Sequence, residues 1–254
     1  MKLIYIKKEV SLKKVSAKYK LIVKNVRSQL LKHSDKIHSI YLYGSVATGK
    51  AKSPSSDLDM IIVLNRKPTL KTKSKLKDLE NLLSQKYQKT FREVGFAITY
   101  KNEVLRGKDA FGWRFTLEIL SVRIYGKNLF QKRVRFSPTK RLAKGLHSDV
   151  YENIREAKKK LNSANTKEYN IQIKSIMKKL IRTAFSIVME DENYWTTNLD
   201  EMTKIFIKHY PTKKQQINAV LEMTKTESPN KNDAIFILNT FGKWVSSEYF
   251  KRVN

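Results

Sequence analysis

Apolar positions along the first hundred residues switch between a helical and an extended period. Within residues 10–32, Val15, Tyr19, Ile22, Val23, Val26 and Leu30 recur at helical spacing and predict an amphipathic helix. The runs IHSIYLY at 37–43 and DLDMIIVL at 57–64 are short and β-rich, and each predicts a strand, the first ending at Gly44. Leu76, Leu79, Leu82 and Leu83 predict a helix over 69–88, and EVGFAITY at 93–100 predicts a return to strand. Helix, strand, turn, strand, helix, strand is the order of an α/β sheet with helices packed on it.

The character changes at about residue 138. Strand-like runs largely stop, and helical ones follow with their own start signals: Asn165 or Thr166 before a helix reaching about 190, Asn198-Leu-Asp-Glu201 as a capping-box-like start, and Pro229 near the first turn of the last helix. Pro211 separates two of these helices. The expectation is a domain over 1–138 and an all-helical domain over 139–254. Between them, AFGWRFTLEILSV is aromatic and helix-like, and RIYGKNLF reads as one more strand and a turn.

Composition narrows the chemistry. None of the 254 residues is cysteine, which excludes disulfides, zinc-thiolate sites and cysteine nucleophiles, and fits a reducing cytoplasm. No apolar run approaches the roughly 18 residues of a membrane span, and the N-terminus lacks a signal-type core, so a soluble, cytoplasmic protein with no membrane partner is expected. Bases outnumber acids 52 to 23, which favours a polyanion or a multiply charged phosphate ligand. Residues 1–136 hold 31 Lys and Arg against 10 Asp and Glu, so most of the excess lies in the first half.

YGSVATGKAKSPSSDLDMIIV, residues 43–63, admits two readings as a phosphate machine. Gly44 through Gly49-Lys50 nearly spells a P-loop, but Ala51 stands where a hydroxyl must hold Mg²⁺, and a proline- and serine-rich stretch replaces the expected long helix. The other reading uses every residue. Gly44 closes a strand and, lacking a Cβ, lets backbone N–H groups approach a phosphate; Ser45 adds a hydroxyl. Asp57 and Asp59 stand at i and i+2 of a strand, so both carboxylates face one way, about 6 to 7 Å apart along the chain. That spacing suits ligands shared by two Mg²⁺ ions about 4 Å apart. Glu93 opens the next strand, and Gly95 and Ala97 leave room on its face, so it can complete a metal site or take a proton from an attacking hydroxyl.

Gly-Ser, a ten-residue spacer, then SDLDMIIV resembles the signature of the DNA polymerase beta nucleotidyltransferase superfamily, over about residues 37–100. A small nucleotidyltransferase domain followed by a helical one is similar to the aminoglycoside (streptomycin/spectinomycin-type) adenylyltransferases and related bacterial nucleotidyltransferases. The resemblance implies an α/β (α+β) domain with a mixed sheet, followed by the all-α domain, with the nucleotide in the cleft between them. It implies Gly44, Ser45 and Ser56 at the phosphates, Asp57, Asp59 and Glu93 on two Mg²⁺ ions and in catalysis, and an NTP, ATP by resemblance, as donor of its NMP group. LIRTAFSIV resembles a segment whose arginine, here Arg182, reaches the phosphates, and Lys178 can share its face. A downstream basic residue expected near 196–198 is missing, since the sequence reads YWTTNL.

The acceptor stays open. The basic first half favours an RNA, such as a tRNA 3′ end, slightly over a cationic aminoglycoside, which needs an acidic patch such as Glu190, Asp191 and Glu192. A third class is an antitoxin of this fold that modifies a partner toxin, or an RNA-binding scaffold. The run Lys158, Lys159 and Lys160 reads as a solvated face, Trp113, Trp195 and Trp244 read as packing, and the four histidines have no metal-ligand spacing.

Overall fold

Ser16 caps the first long helix, its hydroxyl accepting the Tyr19 amide at 3.4 Å, and α1 (Ala17–His33) buries Val23, Val26 and Leu30. The computed structural model describes residues 4–34, 36–163 and 166–253, so Asn165, read above as a helix start, lies outside the described residues. After α1 come β1 (Ile37–Tyr43), the one-turn helix α2 (Gly44–Thr48), β2 (Leu58–Leu64), α3 (Leu70–Tyr87) and β3 (Val94–Tyr100). Two short helices, α4 (Lys101–Arg106) and α5 (Ala110–Phe115), and a π-helical turn (Thr116–Leu120) then lead into β4 (Ser121–Gly126).

The strands form one mixed sheet in the order β3-β2-β1-β4. β1 runs antiparallel to both β2 and β4, whereas β2 and β3 are parallel, joined across α3. Side chains alternate between two cores. Ile40, Leu42, Leu58, Met60, Ile62 and Val94 face α1 and α3, while Tyr41, Ile61 and Val63 face Val104, Leu117 and Phe130 on the other side. Trp113 packs on that second core. These elements belong to a compact unit, Lys7–Arg135.

The second unit holds the residues from Phe136 onward together with residues 4–6, whose backbone is tied in by Ile6 N–H to Phe136 O (2.8 Å) and Ile4 N–H to Asn193 Oδ1 (3.1 Å). It contains α6 (Lys140–His147), α7 (Val150–Ser163), α8 (Thr166–Val188), α9 (Leu199–His209), α10 (Lys214–Lys225), α11 (Lys231–Ile237), a π-helical segment (Leu238–Gly242) and α12 (Lys243–Val253). Among its described residues there is no strand. α8 is the central helix: Met177, Leu180, Ile181, Ala184 and Phe185 are buried, and α6, α7, α9, α10, α11 and α12 pack on it. Asn198 caps α9 through the amides of Asp200 and Glu201, but Glu201 accepts Thr196 and Tyr194 hydroxyls instead of closing a capping box. Trp195 lies edge-on to Phe185, and Trp244 packs among Phe206, Tyr210 and Phe241. No helix among the described residues is long and apolar enough to cross a membrane.

Candidate active site

Asp57 and Asp59 flank Leu58 at the start of β2. Leu58 is fully buried in the core under α1 and α3, so the alternation of the strand turns both aspartates to the opposite face. Asp59 is level with Tyr43 on β1 and with Gly95 on β3. Two glycines give its carboxylate room. A Cβ added to Gly44 would lie 2.5 Å from Asp59 Oδ2, and one added to Gly95 would lie 3.6 Å from Oδ1. Gly44 also holds a φ of +73°, where a Cβ is strained in any case. Its glycine therefore serves the aspartate as well as any phosphate.

The parallel register brings the third acid alongside. Leu58 N–H donates to Glu93 O at 2.9 Å, and Arg92 N–H to Ser56 O at 3.0 Å, so the segment before β3 is zipped to the segment before β2. Burial raises the Glu93 carboxyl above its ordinary value, and the Asp57 charge raises it further. Sequence reasoning missed Arg92. Its guanidinium grips Asp57 in a two-pronged pair, Nε to Oδ1 at 2.9 Å and Nη2 to Oδ2. The visible signal was a base next to the third acid, but only the register shows that it meets Asp57.

The other expected residues are placed as follows. Ser45 is half-buried in α2, whose end is closed by Gly49 in the left-handed conformation. The Ser56 hydroxyl accepts Lys52 N–H at 2.8 Å and so closes the 52–56 loop. Lys178 and Arg182 stand one turn apart on α8, in the other unit, with Arg182 exposed. Their neighbour Lys179 is engaged structurally, donating to Asp149 Oδ1 (2.6 Å) and Leu146 O (3.1 Å). Of the acidic run in the helical unit, Glu190 accepts the Lys140 amide at 2.6 Å and Glu192 takes Lys208 and His209.

Among the described residues no three acidic or histidine side chains are gathered closely enough to hold a metal ion. Asp57 is instead engaged in its ion pair with Arg92. The donor set nevertheless fits Mg²⁺. It is all carboxylate oxygen, and the absence of a side chain at Gly44 leaves room beside Asp59 Oδ2. A cation at Asp57 has to displace the guanidinium.

Residues 24–108 match the family model described as polymerase beta, nucleotidyltransferase, a span that contains Gly44, Ser45, Ser56, Asp57, Asp59 and Glu93. Among solved structures, the fold is similar to that of spectinomycin adenyltransferase AAD(9) from Enterococcus faecialis, solved with ATP and spectinomycin. The TM-score is 0.59 at 13% identity, over 89% of this chain and 99% of that one. At that identity the likeness is one of fold, and it extends through the helical unit. No curated protein matches the chain.

Proposed function

We propose that this protein, whose residues 24–108 match the polymerase beta nucleotidyltransferase model, transfers an NMP group from a nucleoside triphosphate, ATP in the first instance, to an acceptor hydroxyl. What supports the reading is Asp57 and Asp59 flanking the buried Leu58, Gly44 giving Asp59 room, and the Leu58 N–H to Glu93 O bond that holds Glu93 alongside. The acceptor oxygen bonds to the α-phosphorus, the bond to the bridging oxygen of the β-phosphate breaks, and pyrophosphate leaves. Asp57 and Asp59 would hold Mg²⁺, which when bound supplies the positive charge that offsets the triphosphate. Glu93 takes the proton of the acceptor hydroxyl, and Gly44 and Ser45 present backbone N–H and hydroxyl donors to the phosphates. Arg92 releases Asp57 to the cation and is left beside the same anionic ligand, where its guanidinium remains a favourable partner. Lys178 and Arg182 are assigned to the phosphates on the resemblance alone.

A small hydroxyl-bearing acceptor is favoured, because the likeness in fold to an enzyme solved with spectinomycin covers the helical unit as well as the sheet. A second reading, transfer to an RNA 3′ end, is supported by the 31 bases against 10 acids in residues 1–136 and by the engagement of Glu190 and Glu192 within their own unit. The deciding experiment incubates the protein with each α-³²P-labelled NTP and Mg²⁺ beside an aminoglycoside panel that includes spectinomycin, total RNA, and a cell lysate, with Asp57→Ala as blank. Label in the small-molecule fraction only with the intact protein supports the first reading, and label in RNA supports the second. Label on a single lysate protein would identify a partner such as a toxin. No label anywhere would sink the transferase.

A further inference from the structure

Far along the chain from the acids, the helical unit contains a cavity of about 580 Å³. Its walls are one face of α7, one face of α12 and the π-helical segment that precedes α12. On α7 the lining residues Tyr151, Ile154 and Lys158 fall three and four apart, and on α12 Lys243, Ser246, Ser247 and Phe250 do the same. Leu238 and Ile154, both buried, form the floor. π-helical turns inside α-helices recur at functional sites, and this one turns Asn239 into the cavity.

The chemistry of the lining is selective. It contains two lysines, an amide, two serine hydroxyls and the Tyr151 phenol, and no carboxylate. Among the described residues neither lysine takes part in an ion pair, although Lys179, Lys208 and Lys225 of the same unit do. Its two aromatic side chains are solvent-facing, Tyr151 at 58% and Phe250 at 38% exposure. Phe250 is braced edge-on by Tyr249, which is itself buried and fixed by its hydroxyl on Ala143 O at 3.1 Å. Lysines without acids beside exposed, braced aromatic faces make a site for a flat ring that carries a phosphate.

We infer that this cavity binds one nucleotide unit, its base on Tyr151 and Phe250 and its phosphate on Lys158 and Lys243, either as a free mononucleotide or as a residue of single-stranded RNA. The volume is in the range of small-ligand pockets and suits one such unit. The inference does not depend on the transfer reaction. Lys158 belongs to the basic run that the sequence reads as a solvated face; in the fold it is separated from that reading by its place opposite α12.

The test is fluorescence anisotropy of a labelled ten-residue oligo(A) RNA on the full chain in EDTA, which keeps metal-dependent nucleotide binding at the sheet out of the signal. Lys158→Glu with Lys243→Glu is compared with Lys204→Glu and Lys214→Glu, two exposed lysines of the same unit carrying the same change of charge. We expect the cavity pair to weaken binding about tenfold more than the control pair, and Tyr151→Ala to weaken it several-fold. AMP as competitor separates the sources: displacement by AMP but not by inorganic phosphate or adenosine identifies a mononucleotide site, and a loss confined to the RNA identifies a strand site. Equal losses in the two double variants would reduce the effect to the overall field and overturn the site. Unchanged binding by a folded Tyr151→Ala would remove the base from the ligand and overturn it too.

Discussion

The sheet unit and the helical unit differ in one acid: both pair acids with bases, but Glu93 of the sheet unit is pushed up where the paired acids of the helical unit are held down. In the helical unit acids sit against bases: Asp149 takes Lys179 at 2.6 Å, Glu192 takes Lys208 at 2.8 Å and His209 at 2.7 Å, and Glu248 takes Arg252 at 3.2 Å. Glu192 is held below its ordinary range by those hydrogen bonds. For Asp149 and Glu248 burial pushes upward, but their cationic partners and hydrogen bonds bring both down on balance. On the sheet face, Glu93 moves the other way, raised by burial and by the charge of Asp57. Paired acids hold an element in place. A carboxyl raised in this way costs stability when ionised, which makes Glu93 a candidate for a chemical role.

That contrast breaks first, and most severely, at the aspartates. Asp57→Ala and Asp59→Ala are each expected to reduce nucleotidyl transfer by at least about a thousandfold and to remove Mg²⁺-dependent ATP binding by calorimetry, with the circular dichroism spectrum unchanged. Transfer within tenfold of the intact protein by either variant would sink the assignment of the site.

The glycines sharpen the comparison at a smaller scale. Gly44→Ala places a methyl group against Asp59 Oδ2 at a backbone φ of +73°, so it is expected to cost about 2 kcal/mol of stability and most of the transfer rate. Gly95→Ala places its methyl at ordinary contact distance from Oδ1, and a loss of no more than about tenfold in rate is expected, with little change in urea midpoint. If the two variants behave alike, clearance for Asp59 is not what these glycines provide.

Much of the sheet unit is legible because its periods are clean. The alternation of Leu58, Met60 and Ile62 with Asp57, Asp59 and Ile61 is visible in the sequence, and it fixes which residues share a face. Glu93 could be proposed for the same reason. Two things were hidden. Parallel pairing of β2 with β3 sets Arg92 against Asp57, and no local pattern carries a strand register. The cavity in the helical unit arises where α7 and the π-helical turn before α12 come together, which the 3.6-residue period of either segment does not contain. The acidic run at 190–192 looked like a patch for a cationic ligand because its partners, Lys140, Lys208 and His209, are distant in sequence or on another helix.

The smallest effects are the most discriminating, because they differ in sign. Asp149 has a lowered carboxyl, so its contribution to stability is fully present above its ordinary value of 3.8 and is lost as pH falls through the lower folded value. Asp149→Asn should therefore destabilise at pH 7, by about 1 kcal/mol or less for a pair this exposed, and the difference should vanish in strong acid. Glu93 has a raised carboxyl, so in the window above its ordinary value of 4.5 the folded state holds the proton more tightly than the unfolded chain. Stability then falls as pH rises through that window, and at pH 7 the ionised group is a cost. Glu93→Gln should stabilise the apo protein slightly at pH 7, converge with the intact protein near pH 4, and still abolish transfer. Urea unfolding of both variants between pH 3.5 and 7.5, in EDTA, reads the two slopes. Shifts of the same sign would mean that Glu93 is another paired acid like Asp149, and the distinction between the two units would collapse; opposite signs, with transfer lost only in Glu93→Gln, would establish that the sheet face keeps an unfavourable charge for its reaction.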